Sequence, residues 1–189
     1  MKYSVGVFCF IFQVQGLLRR ETLSSLATGE AYSCPPKSGT SNDTIVDIFT
    51  SKRMPTQPWP IINVEVPKSY AEFMCGIQNR NITSDCMCGY LFPWDSPQTV
   101  NMYMRAVSFD SDIVFFDSFK QVVSFQSVPA YSQQTITSVP NIQYILVVPK
   151  GITSLLGVQK GDPANFTIPQ NTYIGTGVSN YDDRVGMHD

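Results

Sequence analysis

Between residues 61 and 148 the chain breaks into short apolar segments, and none keeps a helical period for long. Val100, Met102, Met104 and Ala106 alternate with Asn101, Tyr103 and Arg105, the period-two pattern of a strand buried on one face. Residues 61–66, 112–116, 122–128, 135–139 and 142–148 add further strand-like runs, separated by Ser, Asp, Pro and Lys-Gly punctuation. Many short strands at close spacing predict an all-β fold, an antiparallel β-sandwich of the jelly-roll kind. Ser69-Tyr-Ala-Glu72 matches a helix capping box, but Gly76 follows so soon that a turn is expected there. Residues 17–31 could form one helical turn around Leu23 and Leu26. Pro55, Pro58 and Pro60 predict an extended loop, with Trp59 pinning it to the core. Edge strands are expected at 164–168 and 172–174.

The N-terminus reads as a signal peptide. Lys2 precedes an apolar run from Val5 to Phe12, and Val14-Gln15-Gly16 offers a cleavage site. That run is shorter than the roughly 18 residues a membrane span needs, and no later segment is longer. The predicted organisation is a signal peptide at 1–16, a flexible leader at 17–33, a β-sandwich domain at 34–150, and edge strands with a loose tail at 151–189. The mature product is expected to be secreted and extracellular. Arg19-Arg20 is a dibasic pair just after the expected signal and reads as an exposed pair or a processing site.

Of five cysteines, Cys9 falls in the signal peptide, leaving Cys34, Cys75, Cys86 and Cys88. An even number in a secreted chain predicts two disulfides. If residues 79–82 form a hairpin turn, Cys75 faces Cys86 and Cys88 is left for Cys34. A register slipped by two residues would instead join Cys34 to Cys86 and Cys75 to Cys88. A Cys86–Cys88 bond would require a kinked backbone, because alternate residues of a strand lie about 6.5 Å apart. N-glycosylation acceptors stand at Asn42, Asn81 and Asn165, each followed two residues on by threonine.

Composition narrows the function. The 189-residue chain carries a net charge of −2 with no basic stripe, which removes the electrostatic footprint of a nucleic-acid binder. Its one histidine, His188, sits beside the C-terminus, so triads that need an imidazole base have no evident candidate. Two-carboxylate hydrolysis remains compatible with the composition, and Glu65 and Glu72 flank a strand end. Asp110, Asp112 and Asp117 gather carboxylates and hydroxyls around one strand, an oxygen-rich set of the type calcium takes. No other cofactor is indicated.

The early Cys34, the cysteine-rich middle, Asp112-Ile-Val-Phe-Phe-Asp117 and residues 138–148 together resemble a CUB domain. They are most similar to the divergent CUB-like modules of secreted nematode proteins. The resemblance spans residues 34–148. It implies a jelly-roll sandwich used for extracellular binding, with calcium held through Asp112 and Asp117. The function expected is a secreted recognition or adhesion module without catalysis, its partner an extracellular protein or glycan. A structural matrix component is the second reading, and a carboxylate hydrolase the third.

Overall fold

The computed structural model describes residues 34, 37–38, 42–53 and 60–176. The expected signal peptide, the leader with its helical turn, Arg19-Arg20, Trp59 and His188 lie outside them. In chain order the elements are β1 (Lys37–Ser38), β2 (Thr44–Ile48), β3 (Ile62–Glu65), α1 (Tyr70–Cys75), β4 (Arg80–Asn81), β5 (Cys88–Gln98) and β6 (Asn101–Tyr103). There follow β7 (Ser111–Phe116), β8 (Val122–Val128), β9 (Thr135–Thr137), β10 (Ile142–Pro149), α2 (Ile152–Leu156) and β11 (Ala164–Asn165).

Seven strands form one curled sheet, a half-barrel, in the order β11-β2-β3-β5-β10-β7-β8. β3 and β5 run parallel, whereas the other neighbours in this sheet are antiparallel. The mostly-β expectation therefore holds, but an all-antiparallel sheet does not. The parallel pair follows from the connection: α1 and β4 intervene between β3 and β5, giving the longer crossover that parallel neighbours require. β6 and β9 pair separately, as do β1 and β4.

The adjacent strands β5, β10 and β7 are buried on both faces over most of their length, which explains their apolar character. On one face Tyr90, Phe92 and Trp94 of β5 join Ile113 and Phe115 of β7 and Ile145 and Val147 of β10. Phe73 of α1 closes over them, its ring 5.6 Å from Phe92 and 5.4 Å from Trp94. On the other face Leu91, Val114, Phe116, Leu146 and Val148 pack with β2, β3 and α2. Val100, Met102 and Met104 are all buried, so the sequence alternation marks the core side of β6 and its continuation correctly.

Three local expectations are corrected. The capping box makes a helix rather than a turn: the Glu72 N–H donates to Ser69 Oγ at 3.2 Å, while Glu72 Oε2 accepts from the Lys68 N–H at 2.8 Å. Burial of Phe73 supplies what six residues of helical propensity lack. Residues 172–174 form no strand, because Pro169 leads them through a turn and the chain meets β5 only at Gly175. Residues 79–82 are not an exposed hairpin turn. Arg80 is 5% exposed, and Arg80–Asn81 pairs in parallel with Lys37–Ser38.

β5 and β10 approach closely because position 89 lacks a side chain. A Cβ on Gly89 would lie 2.6 Å from the Val147 carbonyl oxygen and 2.8 Å from Val148 Cγ1. Gly89→Ala is expected to cost about 1–3 kcal/mol through this overlap, read as a lower urea midpoint at unchanged slope. A loss under about 0.5 kcal/mol, the range of ordinary surface substitutions, would contradict that approach.

Candidate functional site

The disulfides and the buried charges lie around α1, β4, the end of β3 and the first residues of β5. Glu65 ends an apolar strand and is 3% exposed, a placement a carboxylate tolerates only with a partner. Arg80 supplies it through two parallel bonds, Nη1 to Oε2 at 2.5 Å and Nη2 to Oε1 at 2.7 Å. The guanidinium also lies 5.5 Å from the centre of the Tyr90 ring, and its Nε donates to the Gly76 carbonyl. Tyr90 donates its hydroxyl to the Glu72 carbonyl at 3.1 Å. Burial pushes the Tyr90 phenol far above its ordinary range, and the Glu65 carboxylate adds to the shift, so the phenol stays protonated at neutral pH. At the margin, Asp43 accepts from the Val66 N–H and from Lys68 Nζ, and the Asp43 carboxylate raises the Lys68 ammonium pKa.

Two disulfides frame this cluster: Cys34–Cys75, with Cα atoms 5.5 Å apart, and Cys86–Cys88, with Cα atoms 5.1 Å apart. Two bridges were expected, but neither predicted pairing is the one found. Cys75 ends α1 and so is not the strand partner of Cys86. Its neighbour is Cys34, whose carbonyl accepts from Asn79 Nδ2 at 3.0 Å. Cys86 lies in a turn closed by its N–H on the Thr83 carbonyl, and β5 starts only at Cys88. That turn is the kink which brings alternate residues within bonding reach. The buried Glu65–Arg80 pair was not anticipated. Its one sequence signal is a glutamate inside the apolar run Ile61-Ile-Asn-Val-Glu-Val66.

The three aspartates of the calcium expectation are not brought together. Asp112 sits at the start of β7 and is 1% exposed. Its Oδ1 accepts from Ser127 Oγ at 2.6 Å. Its Oδ2 accepts from the Gly151 N–H at 2.9 Å, the Thr153 N–H at 3.1 Å and Thr153 Oγ1 at 2.7 Å. Asp112 thus caps α2 from a distant strand, satisfying N–H groups that a helix start leaves open. Asp110 accepts from the Ala130 N–H and faces Lys150 Nζ at 3.4 Å, and those two contacts, in that order, lower its pKa. Asp117 lies beyond the opposite end of β7, about 16 Å from Asp112 along the strand. It closes the β7–β8 turn by accepting from the Phe119 and Gln121 N–H groups. Among the described residues no three His, Cys, Asp or Glu side chains converge on a point where a metal ion could sit.

Of the carboxylates considered for hydrolysis, Glu65 is engaged by Arg80 and Glu72 by the backbone of Lys68. Asn42 and Asn165 are exposed. Asn81 lies in β4. No helix among the described residues is long and apolar enough to cross a membrane.

These features define a mostly-β protein built on a curled mixed sheet, with two disulfides, of which Cys34–Cys75 closes the long loop, and a buried ion pair. Residues 52–166 match the model of the DUF192 family, described as an uncharacterized ACR, and the chain belongs to that family. The CUB resemblance does not hold, since that match and the mixed sheet account for the segments that suggested it. No curated protein matches the chain. Two solved structures share the fold. One is a protein of unknown function from Novosphingobium aromaticivorans, with a TM-score of 0.56 and 19% identity over 64% of this chain and 83% of that one. The other, from Sinorhizobium meliloti, is described as a "putative transcription regulator", with a TM-score of 0.57 and 21% identity over 68% of this chain and 97% of that one.

Proposed function

We propose that this chain is a secreted recognition or adhesion module that works by binding an extracellular protein or glycan, without catalysis. The observation that carries the reading is the pair of disulfides. Cys34–Cys75 ties residue 34 to α1 across a sequence separation of 41, and such crosslinks persist in oxidising compartments. The signal-like N-terminus and the exposed acceptors Asn42 and Asn165 point the same way. Secretion also makes N-glycans at Asn42, Asn81 and Asn165 part of the proposal.

Both oxygens of Glu65 and of Asp112 accept from donors that hold the fold, and Asp117 Oδ1 closes a turn, so these carboxylates are engaged in structure. Binding to nucleic acid, which the Sinorhizobium description would suggest, is disfavoured by a net charge of −2.

The test is to secrete the full chain from eukaryotic cells and present it to a glycan array and to extracellular protein fractions. Saturable binding that survives mild salt is expected. Hydrolysis of an offered glycan or peptide would overturn the non-catalytic reading. Insoluble self-association without ligand would replace it with a structural matrix role.

A further inference from the structure

The two disulfides differ in what they do for the chain. Cys34–Cys75 closes a long loop, so opening it releases substantial chain entropy, whereas Cys86–Cys88 spans two residues and constrains the unfolded chain far less. The backbone around the short bridge is held without it. The Cys86 N–H donates to the Thr83 carbonyl at 3.1 Å, and the Asn63 N–H donates to the Met87 carbonyl at 2.9 Å. Cys88 is also locked in register opposite Asn63 on β3. Opening the bond would leave both sulfurs beside each other, ready to close again. Access is unequal: Cys86 is partly exposed, while Cys88 is 4% exposed.

A bond whose surrounding backbone is held by other contacts, formed between one partly exposed and one buried cysteine, has the arrangement of an exchange site rather than a staple. We propose that Cys86–Cys88 is a redox-active disulfide that oxidises one dithiol of a protein client per chain, a stoichiometric exchange and not a catalytic cycle. A client thiolate attacks Cys86 Sγ, the Cys86–Cys88 bond breaks, and its electron pair leaves on Cys88 Sγ. The client's second thiolate then attacks its own sulfur in the mixed disulfide and expels the Cys86 thiolate. The client gains one disulfide, and Cys86 and Cys88 take up the two protons as thiols. The oxidising compartment proposed above supplies only the starting state, and the reaction does not depend on the ligand-binding reading.

The experiment uses the purified full chain, oxidised in vitro, so that failure to be secreted or to bind a ligand does not affect it. Wild-type protein is equilibrated with graded dithiothreitol, its free thiols are alkylated, and each cysteine is scored by mass spectrometry. Cys86 and Cys88 should be reduced at a dithiothreitol concentration at least tenfold below that needed for Cys34 and Cys75. A dithiol peptide offered to the oxidised chain should be converted to its disulfide, one equivalent per chain, at least tenfold faster than with the Cys86→Ser/Cys88→Ser double variant. Retention of the far-ultraviolet circular dichroism spectrum by that variant confirms that only the bridge was lost. Reduction of Cys86 and Cys88 together with or after Cys34 and Cys75 overturns the proposal. So does peptide oxidation no faster than with the double variant. The reduction series on wild-type protein decides the matter even if the variant fails to fold.

Discussion

Glu65→Gln is expected to destabilise the protein by about 3–5 kcal/mol, because it leaves a buried guanidinium without its carboxylate. Arg80 is 5% exposed and gives Glu65 two parallel hydrogen bonds, so the loss combines broken charge-assisted bonds with removal of the carboxylate that faces a buried guanidinium. Arg80→Met should cost a similar amount from the other side. The double variant Glu65→Leu/Arg80→Met should recover most of the loss, since replacing both charges by apolar side chains of like size is often near neutral. Urea unfolding followed by the fluorescence of Trp94, which is buried against Phe73, reads all three. Equal and additive losses in the two singles and the double would show that the charges act independently.

Asp112→Ala should have the second large effect, about 3 kcal/mol or more, because buried donors lose their acceptor together. The Gly151 and Thr153 N–H groups and the hydroxyl of Thr153 all point at Oδ2, and Ser127 Oγ points at Oδ1. The damage should concentrate in α2. Amide exchange of residues 151–156 should accelerate well before that of β10, the strand that leads into the helix. Asp112→Asn keeps the shape and one acceptor oxygen, so a smaller loss is expected. A loss in Asp112→Ala confined to added calcium, with no change in its absence, would restore the calcium reading in place of the helix cap.

The same residues show what could be read from sequence. β6, β7, β8 and β10 announce themselves, since alternation and short apolar runs are direct consequences of burial on one or both faces. β5 was missed because Gly89, Pro93 and Pro97 break its propensity. The fold accommodates Pro93 where β3 has ended: the Pro93 carbonyl accepts from the Gly175 N–H at 2.9 Å, on the side away from β10. The disulfide pairing failed for a related reason. Asn79-Arg80-Asn81-Ile82 has turn composition, but the demand of Glu65 for a partner pulls Arg80 inward and turns the segment into β4. Such long-range pairing of one charge with another leaves no periodic trace. Asp110, Asp112 and Asp117 were legible as a cluster in sequence, yet β7 spreads them to opposite ends because a strand advances about 3.3 Å per residue.

Non-reducing peptide mapping of the full chain expressed in eukaryotic cells tests most directly the proposal that this is a disulfide-bonded module made for an oxidising compartment. The expected result is protein in the medium, cleaved after Gly16, with Cys34 joined to Cys75 and Cys86 joined to Cys88. Protein retained inside the cell with its N-terminus intact and all four thiols free would contradict it.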